Sequence, residues 1–161
     1  MTTTITTTKS IRLKILKPVY SNIVIKEEEL PEYLCRSKRI SSSNDVFQMF
    51  RSLVHTPREC FICLHLDNKN KILCVDYVSQ GSLTASIVHP REVFTSAILS
   101  AAASLVFIHQ HPSGCPEASG EDLSICTRLK QAGELLGIRI CDFIIIGDEK
   151  YVSLADRGFI G

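Results

Sequence analysis

The stretch from Ser104 to Ile146 constrains the fold more than any other part of the chain. It opens with a compact apolar run, Ser104 to Ile108, and passes into a loop, Gln110 to Ala118, punctuated by Pro112, Gly114 and Pro116. Apolar residues at helical spacing follow (Ile125, Leu129, Ala132, Leu136), Gly137 stops that helix, and a second apolar run extends from Ile138 to Ile146. Strand, loop, helix and strand in succession require a sheet with a helix laid on it, an α/β or α+β architecture in which a mixed β-sheet is packed with helices. At 161 residues, 45% of them apolar, the chain holds enough core for one domain.

The flanking segments add to that sheet. Ser43 or Asn44 is placed to cap a helix over Asp45 to Val54, with Val46, Phe47, Phe50 and Val54 on one face. Two strands, Glu59 to Leu66 and Lys71 to Val78, flank the polar turn Asp67 to Asn70 and read as a hairpin, and a third short strand is expected through Leu83 to Val88. Pro90 suits a first helical position, opening a helix that ends near Ala103, and Tyr151 to Leu154 reads as a last short strand. Residues 1–40 read as a separate extension before a domain over 41–161. Met1 to Ser10 holds six threonines and little to bury, so it is expected to be a disordered tail. Residues 11–40 alternate short apolar pieces with the charge run Lys26 to Glu29, as a lead-in hairpin or docking arm would.

A net charge of +1 gives no overall attraction to a phosphate backbone, although Lys9, Arg12, Lys14, Lys17, Arg36, Lys38 and Arg39 make the first forty residues locally basic. No apolar run approaches the roughly eighteen residues of a membrane span, and the Thr-rich N-terminus lacks a signal-peptide core, so no membrane partner and a cytoplasmic location are expected. Seven cysteines, an odd number, fit a reducing compartment without disulfides. Cys60 and Cys63 lie three apart on a strand, where side chains alternate, so they read as core thiols on opposite faces rather than as a metal pair.

The chemistry concentrates at the end of the strand Ser104 to Ile108. Residues i and i+2 of an extended segment project the same way, so His109 and His111 can aim two imidazoles at one point, and the loop is long enough to return the carboxylate of Asp122 there. Two histidines and a carboxylate with a fourth position open form the donor pattern of a catalytic zinc site, where bound water loses its proton near neutral pH. Ser119, three before Asp122, stands where a helix N-cap hydroxyl would. His55 and His65 have no partner at ligand spacing and read as structural or surface residues, whereas His89 either flanks the helix start or lines the site mouth.

The run His109-Gln110-His111-Pro112-Ser113-Gly114, followed by Ser119-Gly120-Glu121-Asp122, resembles the JAMM pattern of MPN-domain metalloproteases. With His89-Pro90-Arg91-Glu92, Ile145-Ile146-Gly147-Asp148 and Tyr151-Val152-Ser153-Leu154, it is similar to the RadC-like branch of that family over about Ser41 to Gly161. The resemblance implies a cytidine-deaminase-like MPN fold and Zn2+-dependent hydrolysis of peptide or isopeptide bonds in a peptide or protein substrate. It also implies a glutamate at the start of the first core strand that handles the proton of water. Glu59 matches that place; Glu92, the rival, opens a helix where a carboxylate already favours the dipole. For Ser119 the resemblance implies support of the oxyanion. Gln110 stands where RadC-like proteins often carry asparagine. Residues before Ser41 are too few for the helical DNA-binding region of longer relatives, so direct DNA binding is not expected. A second reading stays open: a metal-binding module without turnover, acting beside DNA repair or mobile-element machinery, for which the basic charges up to Arg39 should gather on one face.

Overall fold

A computed structural model describes residues 20–21, 32–81 and 88–161. Continuous apolar runs make central strands and alternating ones make edges, and the sheet follows that rule. β1 (Cys60–Leu66) and β3 (Ser104–Gln110) are buried at every position, whereas β2 (Ile72–Gln80) is only partly covered. With β4 (Arg139–Ile146) and β5 (Tyr151–Ser153) they form a five-stranded sheet in the order β2-β1-β3-β4-β5. β1 is antiparallel to both β2 and β3, β3 is parallel to β4, and β5 returns antiparallel to β4. The sheet is therefore mixed and the fold α+β, as the sequence predicts.

Strand alternation sends neighbouring residues into two cores. Phe61, Cys63, Phe107 and Phe143 pack under α3 (Pro90–Leu99) and α4 (Gly120–Leu136), while Ile62, Leu64, Ile108 and Ile144 pack under α1 (Glu32–Ser37) and α2 (Ser43–Phe50). Cys60 and Cys63 are both buried, and the six described cysteines are free. Burial pushes the Cys63 thiol well up and that of Cys126 up to about 11, so both stay protonated and serve as apolar fillers.

Several boundaries differ from the sequence reading. Ser42, rather than Ser43 or Asn44, caps α2, because Asp45 reaches back to the Ser42 amide at 3.0 Å while the Ser42 hydroxyl accepts from Asp45 N. The helix stops at Phe50, and Arg51–His55 form a 3-10 turn. α3 ends at Leu99, four residues before the expected stop, and His89 is its N-cap, accepting from the Arg91 amide at 3.1 Å. Of the expected extension, Glu32–Ser37 is helical rather than strand-like, and Leu34 and Ile40 are buried against the sheet. The expectations for residues 1–19, 22–31 and 82–87 lie outside the described residues, and with them the strand expected over Leu83 to Val88 except for Val88, which is buried and not in a strand. Among the described residues no helix is long and apolar enough to cross a membrane.

Candidate metal centre

β3 extends two residues further than its apolar run predicts, so His109 is its penultimate residue, 4% exposed, and His111 follows just beyond the strand. His109 faces the α3/α4 core, with Phe61 and Phe143 against its ring, and His111 meets that ring edge-on at a centroid distance of 4.6 Å. Gln110, between them, points the opposite way and donates to the Thr56 carbonyl at 3.4 Å. The loop after His111 is seated on the end of β4. His111 N donates to Ile146 O at 2.9 Å, and Asp148 N donates to Gly114 O at 2.7 Å. The approach of Gly147 to the loop is so close that a Cβ there would run into the Gly114 carbonyl and Pro116.

Asp122 enters from the first turn of α4. Ser119 caps that helix by accepting from Asp122 N at 3.1 Å, and the Asp122 carboxylate takes the Ser119 amide (2.7 Å) and hydroxyl (2.6 Å) on Oδ2. Its other oxygen meets His109 Nδ1 at 2.5 Å, and Oδ2 lies 3.5 Å from His111 Nε2. Burial works to raise the pKa of Asp122, yet the donors from His109, His111 and Ser119 outweigh it and hold the carboxyl far below the usual range. The same pair acts in reverse on His111, whose pKa is raised chiefly by the Asp122 contact. Ser119 thus holds the helix start and Asp122 together, its hydroxyl proton directed at the carboxylate and not into the cleft.

Glu59, immediately before β1, approaches from the other side, with Oε1 2.9 Å from His109 Nε2. Donor atoms of Glu59, His109 and His111 lie within 4.8 Å of one another, so all five residues singled out from the sequence meet in one place. Glu92, the rival to Glu59, is exposed and paired with Arg91. Both ring nitrogens of His109 face carboxylate oxygens, yet a neutral imidazole has one N–H to give. If Nδ1–H serves Asp122, the Nε2 lone pair confronts a Glu59 oxygen, an arrangement that either a second ring proton or a cation beside Nε2 reconciles. His111 is prepared in the same sense, since its Nδ1 donates to the Cys115 carbonyl at 2.8 Å and leaves Nε2 turned toward the carboxylates. The donor set therefore fits a divalent metal.

Around these groups is a cleft of about 300 Å3 whose walls include Pro112, Ser113, Glu121 and Ile125. The Cys115 carbonyl and the Gly114–Asp148 contact were not readable from sequence, because both are backbone interactions set by how the loop closes.

A family model described as the RadC-like JAB domain matches residues 40–159. A UPF0758 protein of Syntrophotalea carbinolica is 53% identical over 123 residues, covering 76% of this chain and 54% of the relative. UPF0758 proteins of Methanosarcina mazei and Pelobacter propionicus are 52% and 49% identical over 124 and 123 residues, with the same coverage. The chain spans about half the length of these curated relatives.

Proposed function

This chain belongs to the RadC-like JAB domain family, and from that membership and the geometry around His109 we propose that it is a metal-dependent hydrolase of peptide or isopeptide bonds. The observation that carries the reading is the convergence of Glu59, His109 and His111, with Asp122 closing on both imidazoles from behind. We assign His109, His111 and Asp122 to hold the metal and Glu59 to handle the proton. Exposure supports this division: the Asp122 side chain is 1% exposed and suits the balancing of a buried positive charge, whereas Glu59, at 26%, can reach water. Two imidazoles and a carboxylate are donors that zinc accepts. When bound, such an ion lowers the pKa of water and polarises a carbonyl oxygen.

The chain's own groups then divide the remaining work. Glu59 accepts the proton of the attacking water and returns it to the departing amine. Ser119 keeps Asp122 in place and, on turning its hydroxyl into the cleft, supports the oxyanion. We place the protein in the reducing cytosol, in keeping with its free cysteines.

Elemental analysis of the wild type, His111→Ala, Asp122→Ala and Glu59→Gln, each also incubated with a mixed peptide library, tests the assignment. Near-stoichiometric zinc in the wild type and in Glu59→Gln, lost in the other two, with cleavage by the wild type only, is the expected result. Zinc lost from Glu59→Gln would move that residue into the ligand set, and zinc without cleavage by any form would reject the hydrolase.

A further inference from the structure

The end of the sheet remote from the metal cluster holds an excess of positive charge. The β1–β2 hairpin turn carries Lys69 and Lys71. The segment before α2 pairs alongside it through Ile72 N to Lys38 O at 2.7 Å and Ile40 N to Asn70 O at 2.9 Å. That pairing sets Arg39 directly across from Lys71. Arg139 opens β4 at the same end and reaches Asn70 Oδ1 at 3.5 Å. Lys130 lies across a cavity of about 640 Å3 that Asn70 and Arg139 also line.

Lys38, Arg39, Lys69, Lys71 and Arg139 are all exposed, and none forms an ion pair among the described residues, whereas Arg36, Arg91 and Arg157 elsewhere each do. The acids of this end do not balance them. Asp67 is engaged by the amides of Lys71 and Lys69, which hold its pKa down, and Glu134 stands at the cavity rim. In a chain of net charge +1 the positive charge is therefore segregated. Arg39 and Lys71 are like charges set opposite each other across two strands, an arrangement that repels unless an anion lies over both.

We propose that this end binds the phosphate backbone of a nucleic acid. From Lys71, just before β2, to Arg139 on β4 is three strand spacings, roughly 14 Å. Over that length one strand of a duplex presents about four phosphates. The surface between the cations is supplied by Asn68, Asn70 and Gly137, short groups that let a backbone approach and offer amide donors to phosphate and sugar. Leu135 and Leu136 are exposed beside Gly137, so a membrane surface, which takes apolar anchors among cations, is the alternative that binding to lipid vesicles separates. Glu59, His109 and His111 lie at the opposite end of β1 and β3, so the proposal is independent of the hydrolase reading.

Fluorescence anisotropy of the full chain against a labelled DNA duplex of mixed sequence, and against its single strand, tests the surface over a salt titration. With about four phosphates neutralised, the plot of log affinity against log salt for the duplex should slope by about −3.6, roughly a 150-fold loss from 50 to 200 mM NaCl. The double variant Lys69→Glu/Lys71→Glu should bind at least about tenfold more weakly with a slope smaller by about 2, and Lys69→Gln/Lys71→Gln should fall between it and the wild type. Lys150→Glu, a cation at the other end, should stay within about twofold, and circular dichroism with thermal melting checks that each variant is folded. No binding at 50 mM salt, an unchanged slope in both hairpin variants, an equal loss in Lys150→Glu, or tighter binding to phosphatidylserine vesicles than to either nucleic acid would each overturn the proposal.

Discussion

Two buried histidines on adjacent central strands show how environment decides a role. His65, on β1 and fully buried, contacts Ser100 Oγ at 2.8 Å and Cys74 Sγ at 3.2 Å through Nδ1, while Nε2 has no partner among the described residues. Burial lowers its pKa against a smaller opposing pull from Asp76. The imidazole is therefore harder to protonate in the folded chain than in the unfolded one. Its contribution to stability is intact above the ordinary pKa near 6.5 and is lost as pH falls below it, by up to about 1.4 kcal/mol per pH unit until the folded protein takes up the proton too. Urea midpoints measured between pH 5 and 8 should show a shallower acid decline in His65→Gln than in the wild type; equal declines would assign the acid sensitivity to other groups. His109, almost as buried, has carboxylates at both nitrogens instead. The difference was legible in sequence, since His109 has a partner at i+2 and a returning aspartate, and His65 has neither. What the sequence left open was His89, because a cap and a site-lining residue leave the same trace before a proline, and only the 3.1 Å bond to Arg91 N decides for the cap.

At the scale of elements, the centre depends on the fit of the loop 111–118 against the β4–β5 turn. Gly147 is where that fit is tightest, and the atoms a side chain would meet are backbone and a proline ring, which cannot swing away. Gly147→Ala should therefore destabilise the protein by about 1–3 kcal/mol and lower its zinc content as well. Gly120→Ala is the matched control, for nothing lies within 4 Å of its added carbon, and a helical alanine should be neutral or stabilising by up to about 1 kcal/mol. Thermal melts with parallel metal analysis check both, and a Gly147→Ala protein with full zinc would show that the loop seats itself without this contact. Element types followed from apolar periodicity, as with the buried runs of β1 and β4 and the αL glycine after α4. Boundaries followed less well. Three serines in a row, Ser41 to Ser43, offer equivalent caps, and the choice falls to Ser42 because Asp45 then completes a reciprocal pair three residues on. The extension of β3 through His109 and Gln110 is imposed by pairing with β1 and β4, a tertiary effect that no local propensity encodes.

For the molecule as a whole, a metal held by His109, His111 and Asp122, and so joining β3 and its following loop to α4, should stabilise the native state by linkage. At zinc a hundredfold above its dissociation constant the gain is about 2.7 kcal/mol, which for a domain of this size raises Tm by roughly 5–10 °C over the protein in chelator. Calorimetry of wild type and Asp122→Ala in zinc and in EDTA reads this directly. A wild-type Tm indifferent to chelator would remove the metal from the centre. The seating of the loop on β4 carries a further consequence, for the order of events in time. His111 is fixed by Ile146 and Gly114 by Asp148, residues more than thirty positions downstream. During synthesis both histidines and Asp122 emerge well before the strand that positions their loop. The nascent chain therefore exposes the donors without their geometry, and if the centre takes a metal as proposed, loading would follow the emergence of β4 from the ribosome.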